Sequence, residues 1–316
     1  MTVPTFGTSI DGASFEKNHI PVSPVPCALI TRSDIKQNLA SELFLQKNVV
    51  SLEIDFIGST NFESVETLAK LPNLRMLKLK RIKNDELTRA LSLFKGVSSL
   101  SINGNFEKSH AEFISQNMDL QELAIQVEGA LSDESVAEIC KLKSLKTLSL
   151  RVIHGNGPTN VSAYLIARLS RLEELDLAGI ASFNVDGFAA LTRLTHLRKL
   201  AIAGFDSYFA MHDKYKIYRT PLRIEALEPL TNIQTFIVSN SHTFNSGDFA
   251  KFNNFPNLEV LGLGYSPKFD DGNLAELAGI KSLKLLALSK PENLSKGALD
   301  KFKATLPSCV IRFWGS

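Results

Sequence analysis

The chain has 316 residues, with 35 Lys and Arg against 33 Asp and Glu and a formal net charge of +2 at pH 7. Charges of both signs are interspersed, so no global field draws in nucleic acid or an anionic membrane surface, and neither is expected as a partner. No apolar run approaches the about 18 to 20 residues of a spanning helix, and the start lacks a basic stretch followed by a hydrophobic one. The expectation is a cytoplasmic protein, with secretion as an effector by another route left open.

Residues 1 to 32 carry Pro4, Pro21, Pro24 and Pro26 and read as extended and irregular, with Val22, Val25 and Ile30 placed to cover the layer that follows. Ser33-Asp34 is a helix N-cap signal ahead of Ile35, Leu39, Leu43 and Phe44, which share one face. Residues 1–48 are thus an N-terminal segment with a capping helix.

From Val49 one spelling recurs: an apolar residue, two variable ones, a second apolar, one variable, a third apolar. The copies are Val49/Leu52/Ile54, Leu74/Leu77/Leu79, Val97/Leu100/Ile102, Leu120/Leu123/Ile125, Leu145/Leu148/Leu150, Leu172/Leu175/Leu177, Leu197/Leu200/Ile202, Ile233/Phe236/Val238, Leu258/Leu261/Leu263 and Leu283/Leu286/Leu288. An eleventh, with Ser308 in first place, closes at Ile311/Phe313. First positions are 25, 23, 23, 25, 27, 25, 36, 25, 25 and 25 residues apart, so only the step of 36 marks an insertion. Upstream the phase continues at intervals of three, as in Phe249, Phe252 and Phe255 before Leu258. Spacing of three makes a stripe on a short helix or 3₁₀ segment, and the change to two marks a strand. Each unit is therefore a strand, a loop and a helical return. One unit alone buries too little to offset its ordering entropy, so stacking is required and a single domain over 49–316 is expected, with a C-terminal cap at about 305–316. In that cap Val310 to Trp314 supplies an edge strand, and Trp314 reads as a lid on the last layer.

Phrases such as Leu71-Pro72-Asn73-Leu74-Arg75-Met76-Leu77-Lys78-Leu79 and Phe255-Pro256-Asn257-Leu258-Glu259-Val260-Leu261-Gly262-Leu263 resemble the strand signature of the leucine-rich repeat family, and the resemblance spans roughly residues 40 to 313. It implies an α/β fold: a leucine-rich-repeat solenoid, a curved horseshoe with a parallel β-sheet of about 11 strands on the concave face and short helices on the convex face. Three places after the last strand leucine many members keep Asn or Cys. Here those sites are Ile57, Ile82, Asn105, Glu128, Ile153, Ile180, Phe205, Ser241, Ser266 and Pro291, so that Asn ladder is absent and the repeats look like the helical-backed bacterial type. The family serves mostly as protein-binding scaffolds, which implies a non-enzymatic protein-protein interaction module, monomeric apart from its protein partner.

Nothing in the chain spells catalysis. The six histidines are scattered, without HExxH, GxSxG, P-loop or CxxC patterns, so no catalytic, cofactor-binding or metal residue is expected. Asp270-Asp271-Gly272 and Ser132-Asp133-Glu134 precede helical stripes and read as N-terminal caps. Cys27, Cys140 and Cys309 have no partner at metal-ligand spacing. Extracellular members of the family carry cysteine clusters in their caps, and their absence favours a reducing compartment.

Binding is expected on residues between the strand leucines. Charge there is confined largely to the first six rows, with Glu53, Asp55, Lys78, Lys80, Glu122, Arg151, Glu174 and Asp176. From the seventh row on the face is small and apolar, through Ala201, Ala203, Ile237, Val260, Gly262, Gly264, Leu285 and Ala287. The insertion at 204–222 enters at that change, carrying Tyr208, Phe209, Tyr215, Tyr218 and Arg219, and it holds three of the chain's five tyrosines. Such residues are enriched in binding hot spots. Two alternatives stand: insertion and floor together form a partner site, or the insertion packs down and fills the floor. An inhibitor or immunity protein, an adaptor and a secreted effector all fit the binding class, and an unrecognised enzyme site near His212, Asp213 and Tyr215 is the competing class.

Overall fold

The structure, a computed structural model, describes residues 7–9, 27–32, 34–45, 47–153, 155–179, 183–203, 222–239, 244, 247–264, 269–289 and 293–314. The chain divides into two compact units, Met1–Leu145 and Lys146–Ser316.

In the first unit the strands are β1 (Gly7–Ser9), β2 (Cys27–Arg32), β3 (Val49–Asp55), β4 (Met76–Ile82), β5 (Ser99–Gly104) and β6 (Glu122–Val127). Each pairs in parallel with the next. Between them lie α1 (Gln37–Phe44), α2 (Phe62–Ala69), α3 (Asn84–Leu93) and α4 (Lys108–Asn117), and α5 (Asp133–Ile139) follows. The second unit repeats the plan with β7 (Thr147–Val152), β8 (Glu174–Ala178), β9 (Lys199–Ala203), β10 (Thr235–Ser239), β11 (Val260–Gly264), β12 (Leu285–Ser289) and β13 (Val310–Trp314), again parallel and in order. Its returns are α6 (Asn160–Ile166), α7 (Val185–Ala190), α8 (Asp271–Leu277) and α9 (Lys296–Thr305), with 3₁₀ segments at Leu191–Arg193, Ile224–Leu227 and Phe249–Asn254. Strand, loop and helical return in strict succession are the leucine-rich-repeat architecture. All eleven triplets form strands.

Register explains the core. Leu52, Leu77, Leu100 and Leu123 stand opposite one another on adjoining strands, as do Leu175, Leu200, Phe236, Leu261 and Leu286, and each is at most 2% exposed. Burying one such side chain stabilises by about 1.5–3 kcal/mol. Where the chain enters a strand, one carbonyl accepts two N–H groups of the next repeat: Lys146 O takes Glu173 N at 2.8 Å and Glu174 N at 2.9 Å, and Arg198 O takes Gln234 N at 2.8 Å and Thr235 N at 3.0 Å.

The return segments follow the local spelling. Ser132 caps α5 by accepting from Ser135 N, and Asp270 and Asn273 exchange hydrogen bonds at the start of α8, so both acidic stretches are caps. The Phe249–Asn254 segment is 3₁₀, with Phe249, Phe252 and Phe255 one turn apart. Its Phe252 meets Phe236 edge-on at 5.6 Å, and Phe249 meets Phe269 at 5.1 Å.

Two expectations need correction. Residues 27–32 are an added strand, not irregular cover: Leu29 lies opposite Leu52 and is 5% exposed, while Ile30 faces Glu53 on the other side of the sheet. The capping helix begins at Gln37 after Lys36, which makes no side-chain cap; Asp34 is instead held by Arg32 at 2.7 Å, and Ser33 lies outside the described residues. Its buried face is Ala40 and Leu43, and Phe44 is 37% exposed.

A side-chain ladder does exist, at a different place. Asn73, Asn232 and Asn257 each stand one residue before a strand triplet, and each amide donates to a carbonyl one repeat back: Lys47 O at 2.7 Å, Thr195 O at 2.7 Å and Thr231 O at 3.0 Å. His196 Nδ1 does the same to Ser170 O at 3.0 Å.

Candidate functional site

Alternation puts the variable strand residues on the sheet face turned away from the helices. In the first unit Glu53 lies opposite Lys78 and under two ammonium groups: Lys78 Nζ is 3.2 Å from Oε2, and Lys80 pairs with Oε1. Burial pushes the Glu53 carboxyl up, but hydrogen bonds and charge from Lys80 and Lys78 outweigh it and hold the pKa below the ordinary carboxylate value. Beside it Arg81 grips Asp55, with Nε 2.8 Å from Oδ1 and Nη2 on Oδ2. Arg81 reaches there from a left-handed backbone, φ 54°, at a bulge between Lys80 and Ile82. Met76, in the same row as Lys78, is 43% exposed. Ser99 donates to Glu122 at 2.8 Å.

In the second unit Arg151 Nε lies 3.0 Å from Asp176 Oδ2, and the Ser149 hydroxyl donates to the same oxygen at 3.4 Å. The other carboxylate oxygen, Oδ1, is buried and has no hydrogen-bond partner among the described residues. Lys199 and Glu174 pair at 3.0 Å. Next come the apolar rows, where register sets Ala201, Ile237, Gly262 and Ala287 side by side, with Val260 opposite Leu285. Ala201, Gly262, Gly264 and Ala287 are buried and Ile237, Val260 and Leu285 half-buried, so this floor offers no broad exposed apolar patch.

The structure therefore brings Ile237, Val260, Gly262 and Leu285 together in the second unit, with Arg151 on a neighbouring charged row, while Lys78 and Lys80 belong to the first unit. Tyr208, Phe209, Tyr215, Tyr218 and Arg219 lie outside the described residues, as do His212, Asp213 and most of the 204–222 insertion. Reading the sequence missed Arg81, whose left-handed backbone no Arg announces, and the orphaned oxygen of Asp176, which depends on what surrounds it. Among the described residues no group of three or more His, Cys, Asp or Glu is placed to hold a metal ion. His110 is buried and committed to structure: Nδ1 accepts from Glu107 N and Nε2 lies 3.1 Å from Asn84 O. Among the described residues no helix is long and apolar enough to cross a membrane.

No protein-family model matches the chain, and no curated protein matches it. Solved structures do. A chain of the yeast Rad7 and Elc1 complex is similar with a TM-score of 0.61 at 17% identity, over 90% of this chain and 80% of that one. An internalin of Listeria monocytogenes, InlF, gives a TM-score of 0.47 at 16% identity, over 92% and 73%. A leucine-rich-repeat protein of Leptospira interrogans gives 0.34 at 17%, over 92% and 90%. At 17% identity the likeness to the yeast chain speaks for the fold alone.

Proposed function

We propose that this chain is a non-enzymatic protein-interaction module that holds a protein partner against the open strand faces, with the aromatic 204–222 insertion contributing. The observation that carries this is Asp176. A buried acceptor without a donor costs about 1–3 kcal/mol, and a donor brought by water or by the N–H or hydroxyl of a bound chain would lift that cost. Arg151 and Ser149 fix the other oxygen, which holds the carboxylate in one orientation on the strand face. Around it stand polar groups preset by ion pairs between neighbouring strands, which suit specificity and orientation.

A chain of similar fold occurs in the yeast complex of Rad7 with Elc1, and that is support by analogy of fold alone. An inhibitor or immunity protein, an adaptor and an effector are all forms of this reading, and a cytoplasmic, monomeric chain is consistent with it.

The test is capture of partners on the immobilised native protein, followed by affinity measurement with Asp176→Asn and with a variant lacking Asp206–Thr220. The expected result is one abundant partner whose affinity falls about tenfold in D176N and further on deletion, with D176N still unfolding in one cooperative transition. A partner that binds both variants as it binds the native chain would sink the proposal, as would failure to retain any specific protein.

A further inference from the structure

In the second unit the sheet has a lateral edge, where successive chains enter their strands, and this edge lies away from both the open face and the helices. It holds a groove of about 560 Å³ lined by Lys146, Arg171, His196, Arg198, Asn232 and Asn257 among others. Its basic side chains are exposed. On the open face Arg151 and Lys199 are paired with carboxylates. Lys146, Arg171 and Arg198 have no ion-pair partner among the described residues.

Many backbone acceptors along the groove are already engaged. Lys146 O and Arg198 O each take two N–H groups, and Ser170 O, Thr195 O and Thr231 O are taken by His196, Asn232 and Asn257. What remains is mostly positive charge and N–H donors, the complement of a carboxylate-rich ligand.

Geometry narrows the ligand further. Lys146 leads into β7 and Arg198 into β9, two strand spacings or about 10 Å apart, with Arg171 leading into β8 between them. A ligand with several anionic groups spaced along a chain would match that row of cations. Three residues of extended peptide span the same distance at about 3.3 Å each. Glu173, half-buried in the middle of the groove, disfavours an unbroken phosphate backbone and leaves room for carboxylates on either side.

We infer that this edge is a second docking surface, taking an extended acidic segment, rich in Asp and Glu, of a protein partner. The inference rests on the protein-binding reading but uses none of its residues. Arg171 and Arg198 provide the forks that grip carboxylates, Lys146 extends the charge, and Asn232 and Asn257 supply amide N–H donors.

The probe is a fluorescein-labelled, end-blocked hexaglutamate peptide, added to the full chain at low salt and followed by anisotropy, with hexalysine and oligouridylate as comparisons. Expected are saturable binding of hexaglutamate that weakens as salt rises, a loss of about tenfold in R171A/R198A and only partial recovery in R171K/R198K, which restores charge without the forks. D176N and the 206–220 deletion are expected to bind the peptide as the native chain does, so the two proposals fail separately. Equal binding by native protein and R171A/R198A, tighter binding of oligouridylate to the same groove, or no binding of hexaglutamate overturns the inference.

Discussion

Arg81 shows how one residue can carry two opposed terms. A left-handed backbone disfavours any side chain with a Cβ by about 1 kcal/mol relative to glycine, while the grip on Asp55, whose Arg side chain is 57% exposed, returns less than about 1 kcal/mol. Arg81→Ala keeps the strained backbone and loses the pair, whereas Arg81→Gly loses the pair and relieves the strain. R81G is therefore expected to be more stable than R81A by about 1 kcal/mol, measured as the difference in urea midpoints; equal midpoints would place the strain elsewhere. Glu53 gives a pH dependence of definite sign. Its folded pKa lies below the ordinary value of 4.5 because Lys80 and Lys78 outweigh the opposing effect of burial. The contribution is thus present above about 4.5 and fades as pH falls through the lower folded value. Glu53→Gln should lose stability at pH 7 and show a shallower decline between pH 5 and 3 than the native chain; parallel declines would show that Glu53 is not coupled to its lysines.

At the scale of single elements, the spacing of apolar residues shows how far sequence reaches. Strands at all eleven triplets were legible, because a period of two between the last two leucines permits little else. The row of phenylalanines every three residues announced a helical return, and the structure refines it to 3₁₀ at Phe249–Asn254 with Phe252 fully buried. Phe252 touches Phe236, Phe244 and Phe255, so Phe252→Ala leaves a cavity that three rings cannot close and is expected to cost about 3–5 kcal/mol. A loss below about 1 kcal/mol in denaturant unfolding would mean the stack relaxes freely. The ladder of Asn73, Asn232 and Asn257 was spelled in the phrases that carried the resemblance, Pro72-Asn73-Leu74 and Pro256-Asn257-Leu258. The family's asparagine is expected beyond the strand, whereas the carbonyls that these amides satisfy lie before it. The added strand β2 was hidden for another reason. Its prolines sit upstream, and its single buried leucine, Leu29, makes no triplet.

Across the molecule, the candidate site was only partly legible because the open face is set by contacts between repeats, which one repeat's spelling does not contain. Lys78 and Lys80 were readable as charged face residues; that both converge on one half-buried Glu53 depends on register. The same dependence on neighbours governs stability. Within the second unit β8 to β12 each pair with the strand before and the strand after, so a defect is felt through nearest-neighbour terms and should fade with distance along the stack. Leu261 is fully buried and stands opposite Phe236 on one side and Leu286 on the other. In Leu261→Ala, hydrogen exchange by mass spectrometry should rise most in β10, β11 and β12 and progressively less toward β8 and β7. The reason is that opening the damaged repeat exposes only the edges it pairs with, while Leu175 and Leu148, several repeats away, keep their own neighbours. An equal rise across β7 to β13 would mean that the unit opens all at once, and the additive picture of its stability would then have to be given up in favour of one cooperative core.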